Sequence, residues 1–240
     1  MRKRLFIACV LVPLTCTLAG PGRAESPYRL SWSKDGWIAG GSAAAAGIAI
    51  VFSLTPTPLT VREIENLSRQ DVNGFDRPAT YLYSERISKA SSVILGVVAA
   101  APLALLLDTG VRDDWEACGL MYAETMAIKT TSDAKKAFFS RHACVAFASA
   151  TFLSTVYGDY HPGSDATPYI WAGSLLAATA VGVARYQSGQ HFPTDIIEGV
   201  IAGCTVGYLV PHLHKVAGGA VSVVPACPGT QAGICLQRKL

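Results

Sequence analysis

Residues 185–195 of the chain read RYQSGQHFPTD and lead directly into an apolar stretch that ends near residue 210. His191 and Asp195 lie four residues apart at the mouth of this stretch, a spacing that lets the two side chains meet at the start of a helix. The carboxylate would fix the imidazole tautomer and leave the other ring nitrogen free to attack an electrophile. Arg185 adds a planar cation suited to phosphate oxygens, and a helix N-terminus favours a bound anion.

A second stretch, residues 138–143 (FFSRHA), leads into another apolar segment. Ser140, the consecutive backbone amides and His142 could bind an oxyanion and donate a proton to a leaving group. Upstream, three lysines are candidate phosphate-binding cations: Lys129, Lys135 and Lys136. The two stretches together predict an anion site at helix ends.

Six apolar segments, rich in Ala, Leu and Val, follow the first 24 residues and are too long for ordinary strands. We interpret them as helices that are apolar on most faces, which predicts an all-α six-helix bundle. Asp195 is expected to open the last helix and Pro211 to close it. The segments are Trp37–Leu54, Val93–Leu107, Trp115–Ile128, Ala143–Tyr157, Tyr169–Val183 and Ile196–Val210.

The first 24 residues are typical of an export signal, with a basic start at residues 2–4, an apolar stretch from Leu5 to Gly20 and small residues before a cleavage site after Ala24. A retained first transmembrane helix is the alternative. Removing the four basic residues of this segment from the total of 20 leaves 16 Lys and Arg against 17 Asp and Glu. The mature chain therefore has no general attraction for nucleic acid, and a composition that is 50% hydrophobic excludes a disordered protein.

The remaining polar and terminal segments complete the expected organisation. Thr55–Ser92 is a polar connection, expected to hold a short helix around Val61–Ser68 and part of another near Ala79. Near the C-terminus, two short β-prone stretches flank a Pro/Gly turn and predict a small hairpin. The expected units are a signal peptide (1–24), an N-terminal helix with its polar connection (25–72), a helical bundle (73–216) and a tail or hairpin (217–240).

No pair of cysteines has the spacing of a zinc site with histidines nearby, so no metal is expected. Cys227 and Cys235 could close a small disulfide in an oxidising compartment. Their spacing permits this bond and does not require it.

The apolar segments leave the relation to the membrane open. Five of the six run only ~14–16 residues, below the ~20 that a membrane span requires. A six-span arrangement would also place the loops richest in Lys and Arg in the cytoplasm, whereas an exported hydrolase is expected to act outside. We therefore expect a periplasmic bundle in the bacterial cell envelope, either associated with the membrane or inserted into it.

The strongest motif resembles the type 2 phosphatidic acid phosphatase superfamily, which includes bacterial acid phosphatases, lipid phosphatases and vanadium haloperoxidases. The family's third signature, SR-x5-H-x3-D, is matched from Ala184 to Asp195 except at the leading serine. The second signature, PSGH, is matched in part by residues 139–142 (FSRH). The resemblance covers residues 73–210 and implies a six-helix bundle with its site between helix ends.

Two departures from the family pattern affect the expected anion site. Arg141 stands where the family has a glycine that lets the backbone approach phosphate. Its guanidinium could join the site, or its bulk could obstruct it. The first signature, K-x6-RP, is reduced to Lys129 followed by Lys136-Ala137, so Lys136 would have to replace the arginine.

The resemblance also implies a role for each matching residue. His191 would attack phosphorus to form a phosphohistidine, Asp195 would orient it, and His142 would act as general acid. A set of polar side chains would hold the phosphoryl oxygens, without a metal or other cofactor. This set comprises Arg185, Lys129, Ser140, Arg141 and Lys136.

We therefore expect a phosphatase that hydrolyses a lipid-linked or small organic phosphate monoester or diphosphate. One alternative is a vanadium-dependent haloperoxidase, which uses the same kind of anion site to hold vanadate. The other is a catalytically impaired, non-enzymatic relative, because the missing arginine and Arg141 both affect the anion site.

Overall fold

A computed structural model describes residues 26–30, 36, 68–131, 139–216, 222–225 and 234–237, with only the backbone path given for 128–131 and for the strands. Six α-helices lie within these residues, in agreement with the predicted helical class. They are α1 (Glu85–Ala100), α2 (Thr109–Asp113), α3 (Trp115–Thr131), α4 (Arg141–Tyr160), α5 (Thr167–Gln187) and α6 (Pro193–His214). Three 3-10 helices, Arg69–Asp71, Arg77–Tyr81 and Ala101–Leu107, complete the helical elements.

The predicted segment Val93–Leu107 covers only the second part of its helix. The structure starts α1 at Glu85, where the hydroxyl of Ser84 accepts the N–H of Ile87, and extends the apolar stretch as the 3-10 helix Ala101–Leu107. The first turns of α1 are polar, so their helical structure is not visible in the hydrophobic pattern. The predicted segment Trp37–Leu54 and most of Val61–Ser68 lie outside the described residues.

Close packing of α4 against α6 forms the centre of the bundle. A Cβ added at Gly203 would overlap the carbonyl oxygen of Cys144, and one at Gly207 would overlap that of Ala148. The contacts advance in the same direction along both helices, so α4 and α6 run parallel. Glycine at four-residue intervals removes the side chains that would hold the two backbones apart.

The helices α3 and α5 run antiparallel to α4, whereas α1 runs parallel to it, with Ser92 beside His142 and Ala99 near Ser149. On α3, Tyr122 bonds Ser149 of α4, and Cys118, one turn earlier, contacts Tyr160. On α5, the hydroxyl of Ser174 lies 2.8 Å from that of Ser154. As a result, the N-termini of α1, α4 and α6 and the C-termini of α3 and α5 all lie at one end of the bundle.

Two differences at the chain's C-terminal side correct or limit the sequence predictions. Pro211 does not close the last helix, because α6 continues through it to His214. Two strands, β1 (Ser222–Pro225) and β2 (Ile234–Gln237), pair antiparallel, with Val224 opposite Cys235. The turn between them and Cys227 lie outside the described residues, so the hairpin and its disulfide stay predictions.

Three helical stretches are longer than the sequence pattern suggested. Glu85–Leu107, Thr167–Gln187 and Pro193–His214 contain 23, 21 and 22 residues and are apolar enough to cross a membrane. The prediction that these segments are too short was wrong, because it counted only their apolar cores and left out the polar turns at their ends. Val97 and Leu176 are 68% and 72% exposed in the isolated bundle, which supports membrane association.

Candidate active site

The N-termini of α4 and α6 meet directly. The backbone N–H of Ser140, the residue that caps α4, donates to the carbonyl oxygen of Asp195 in the first turn of α6 at 2.8 Å. The hydroxyl of Ser140 accepts the N–H of Ala143, and the side chain is fully buried. Two helix N-termini therefore point their partial positive charge toward the same end of the bundle.

His191 and Asp195 form the contact that their spacing predicts. The Nδ1 atom of His191 lies 3.4 Å from Oδ2 of Asp195, which also accepts the backbone N–H of Phe192 at 3.0 Å. Because the carboxylate contacts Nδ1, the Nε2 atom of His191 remains available for chemistry. Burial, followed by the charge of Arg185, lowers the pKa of His191 despite the opposing effect of Asp195. This shift favours the neutral, nucleophilic form of the imidazole.

A tight turn between α5 and α6 presents His191. Gly189 adopts a φ of +67°, which side chains rarely permit, and a Cβ there would overlap the carbonyl oxygen of Leu82. One residue earlier, the carbonyl oxygen of Ser188 accepts the N–H of Ser84 at 3.3 Å. Glycine is therefore needed at this position for two reasons: its backbone conformation and its close approach to a distant segment.

Arg185 is held from α1 by serines that sequence reasoning missed. Its Nη1 atom donates to the hydroxyl of Ser88 at 3.1 Å and lies 3.5 Å from that of Ser91. Arg185 is only 7% exposed, and its Nε atom has no hydrogen-bond partner among the described residues. A buried guanidinium with an unused donor suits an anionic ligand.

His142 contacts the same face of α1. Its Nε2 atom lies 3.3 Å from the hydroxyl of Ser92, one residue beyond Ser91. Burial, then the charges of Arg185, Arg141 and His191, lower the pKa of His142 to about 4. The three- and four-residue spacing of Ser88, Ser91 and Ser92, which puts them on one face of a helix, is the sequence signal that could have identified this face.

The remaining predicted residues occupy different positions. Arg141 is the exposed first residue of α4, and its charge acts on both histidines of the site. Lys129 belongs to the last turn of α3, at the site end of the bundle, but its side chain is outside the described atoms. Lys135 and Lys136 lie in the undescribed segment 132–138, so their predicted phosphate contacts stay predictions.

An open cleft of about 190 Å³ lies beside His191. One wall is formed by Ala79, Thr80 and Leu82, and the other by the turn 189–192 together with Asp195. The polar segment before α1, which carried no predicted site residue, thus borders the candidate site. Within the described residues no group of three or more His, Cys, Asp or Glu side chains could hold a metal ion.

Comparison with known proteins relates part of the chain to one family. Residues 112–218 match the family model of the PAP2 superfamily. No curated protein and no solved structure matches the chain. The matched region contains α3 to α6 and therefore Arg141, His142, Arg185, His191 and Asp195, whereas α1 and the wall before it lie outside the match.

Proposed function

We propose that the protein, whose residues 112–218 match the family model of the PAP2 superfamily, is a phosphatase of the bacterial cell envelope. Its substrate would be a lipid-linked or small organic phosphate monoester or diphosphate. One observation carries the proposal: the Ser140–Asp195 backbone bond joins two helix N-termini at the end of the bundle where Arg185, His142 and His191 lie. Such an arrangement suits the spread negative charge of a transferring phosphoryl group.

In the proposed reaction, Nε2 of His191 attacks phosphorus as the bond to the leaving oxygen breaks. Asp195 holds Nδ1 and stabilises the positive charge that develops on the ring. His142 donates a proton to the leaving oxygen, which departs as an alcohol or a phosphate. Water then attacks the phosphohistidine, releases inorganic phosphate and restores the free imidazole, with His142 recovering a proton from that water.

The phosphoryl oxygens would be held by the cations and donors at the same end of the bundle. Arg185 is the best supported, since it is buried, fixed by Ser88 and has a free Nε donor within the described structure. The other proposed contacts are Lys129, Lys136 and Ser140. Arg141 begins α4 at the same end of the bundle, and its substitution by glycine decides whether it holds phosphate or hinders the reaction. The amide and the hydroxyl oxygen of Ser140 already serve the helix ends, so only its hydroxyl hydrogen is open to an anion.

The proposed location follows from the leader and from the exposed apolar helices. A signal peptide of residues 1–24 would direct the chain to the periplasmic side. The three helices long enough to cross a membrane would keep it next to lipid-linked substrates. Nucleic acid is not a proposed partner, since the mature chain has nearly balanced charge.

The test is phosphate release by the full chain in detergent, from p-nitrophenyl phosphate and from a polyprenyl diphosphate. We expect His191→Ala to abolish release. His161→Ala is the matched control, because His161 also pairs with a carboxylate, Asp108 at 3.1 Å, but at the far end of α4. If the unmodified chain released phosphate from neither substrate, the proposal would be contradicted. Bromide oxidation that depends on added vanadate would favour a haloperoxidase.

A catalytically impaired relative is a second candidate, favoured by the environment of His142. With a pKa of about 4, this imidazole is neutral at pH 7 in the unliganded site. It therefore lacks the extra proton of the imidazolium form, which a general acid would donate to the leaving oxygen. Part of this effect comes from Arg141, the residue that departs from the family pattern. Such a relative would bind inorganic phosphate but show no turnover, and Arg141→Gly would restore the turnover.

A further inference from the structure

We propose that Asp76 is a positioning residue of the active site, acting through Thr194 on the His191–Asp195 pair. Asp76 precedes the 3-10 helix Arg77–Tyr81 and lies outside the region matched to the superfamily. The inference rests on the proposed function, because it assigns Asp76 to the same reaction.

The carboxylate of Asp76 is buried and fully engaged. Its Oδ1 atom accepts the backbone N–H of Thr194 at 3.1 Å, and its Oδ2 atom accepts the hydroxyl of Thr194 at 2.8 Å. Oδ2 also accepts the side-chain amide of Asn73 at 2.7 Å. The side chain of Asp76 is only 4% exposed, and three donors satisfy the charge that this burial would otherwise leave unsolvated.

Asn73 fixes the position of Asp76, the residue that bonds to α6. The Oδ1 atom of Asn73 accepts the backbone N–H groups of both Phe75 and Asp76 at 3.0 Å. The turn is therefore closed by side-chain and backbone bonds on both sides of the carboxylate. A group fixed in this way can transmit a defined position to its partner.

Asp76 supplies a cap that the start of α6 lacks. The capping residue, Phe192, has no side-chain oxygen to accept an N–H from the first turn, and Pro193 follows it. Thr194 is the next residue, and its N–H would otherwise be one of the unpaired donors at a helix start. A carboxylate 118 residues away in sequence fills this role.

The capped residue adjoins the proposed catalytic pair. Thr194 immediately precedes Asp195, whose contact with His191 is 3.4 Å long and is easily lost by a small displacement. The same segment carries Ala79 and Leu82, which form the opposite wall of the cleft. Asp76 therefore fixes both the pair and the wall that faces it.

Asp76 cannot itself contact the phosphoryl group as an acid, a base or a ligand. Its oxygens accept hydrogen bonds from Asn73 and Thr194, and a carboxylate would repel a phosphate anion. The role is one of orientation, for which an error of about 1 Å reduces catalysis by roughly 100-fold.

The test compares Asp76→Asn and Thr194→Val with Thr194→Ser in the full chain. Asp76→Asn places an amide donor among three donors, and Thr194→Val removes only the hydroxyl, so both should lower kcat by roughly tenfold or more with little change in KM. Thr194→Ser keeps the hydroxyl and should retain near-normal kcat. Asp71→Asn, which removes an exposed carboxylate five residues away, is the control.

A second measurement does not depend on turnover. NMR titration of His191 should give a lower pKa in Thr194→Val, because Asp195 raises that pKa and would be held less firmly. If the unmodified chain releases no phosphate, the proposed function fails and this titration still decides the role of Asp76. An unchanged His191 titration together with unchanged kcat in Thr194→Val would overturn the inference, and so would effects no larger than those of Asp71→Asn.

Discussion

Ser140 donates its backbone N–H to the carbonyl oxygen of Asp195 at 2.8 Å, and this bond joins the starts of two parallel helices. The proposed catalytic residues lie beside it, since His142 lies in the first turn of α4 and His191 precedes α6. Parallel helices direct their dipoles to the same end, so the proposed anion site would gain from both. The glycines between α4 and α6 make that close approach geometrically allowed.

Gly203→Ala tests the close packing of α4 and α6. The new Cβ would overlap the carbonyl oxygen of Cys144, so the two helices must separate, and we expect a loss of roughly 1–3 kcal/mol in unfolding free energy. Gly173→Ala is the matched helical control, because its Cβ would meet no atom within 4 Å. That substitution should leave stability unchanged or raise it slightly. Equal thermal unfolding midpoints for the two variants would contradict the packing role.

Gly189→Ala tests the turn that presents His191. The substitution combines an unfavourable φ of +67° with an overlap against Leu82, so we expect the cleft to be distorted and phosphate release to fall by roughly 100-fold. Gly163→Ala has a comparable φ of +79° but no atom within 4 Å of the new Cβ. It should cost stability alone, about 1–2 kcal/mol, and retain turnover per folded molecule. Similar turnover in both variants would show that the turn is not critical.

Phosphate binding should change the titration of His142. In the unliganded protein its pKa is about 4, so the imidazole is neutral at pH 6. A phosphate anion stabilises the imidazolium form and should raise the pKa of His142 by roughly 1–3. Imidazole NMR with and without inorganic phosphate measures this change, with His161 at the opposite end of α4 as internal control. A His142 titration that does not respond to saturating phosphate would place the anion elsewhere.

The effect of bound phosphate on the pKa of His142 also predicts the pH dependence of turnover. The profile of kcat/KM reports the free enzyme, in which the pKa of His142 is low, and should have an acidic optimum. The profile of kcat reports the complex, in which bound phosphate raises that pKa, and should extend to higher pH. Coincident profiles would argue against His142 as the general acid.

Arg141→Gly tests whether the departure from the family pattern limits activity. The charge of Arg141 lowers the pKa of His142 and His191, so its removal should raise both. We expect a higher kcat/KM, and we expect its fall on the alkaline side of the pH profile to occur at higher pH, because His142 would stay protonated to a higher pH. Arg112→Gly removes an exposed charge from α2, at the other end of the bundle, and is the control. A fall in kcat/KM would instead identify Arg141 as a phosphate ligand.

Local sequence was sufficient to predict that α3 to α6 are helices and that His191 contacts Asp195, but it did not predict the short helix α2. Residues four apart at a helix start meet whatever the rest of the chain does, so this pair could be predicted from spacing alone. The start of α1 could not be predicted in this way, because its first turns are polar and have the composition of a loop. Only the folded structure shows that Arg185 and His142 contact these turns. Membrane-span length was underestimated for the same reason: the apolar stretch is shorter than the helix that contains it.

The sequence by itself determined the helical class, the family resemblance and the order of the motifs Arg185, His191 and Asp195. Only the tertiary structure decided what supports them. Ser88 reaches Arg185 across 97 residues, and Asp76 reaches Thr194 across 118. Such contacts depend on how the helices pack, since no local period relates the partners. The physical reason is that short-range spacing sets which side chains share a turn, while burial and hydrogen bonding between distant segments set what those side chains can do.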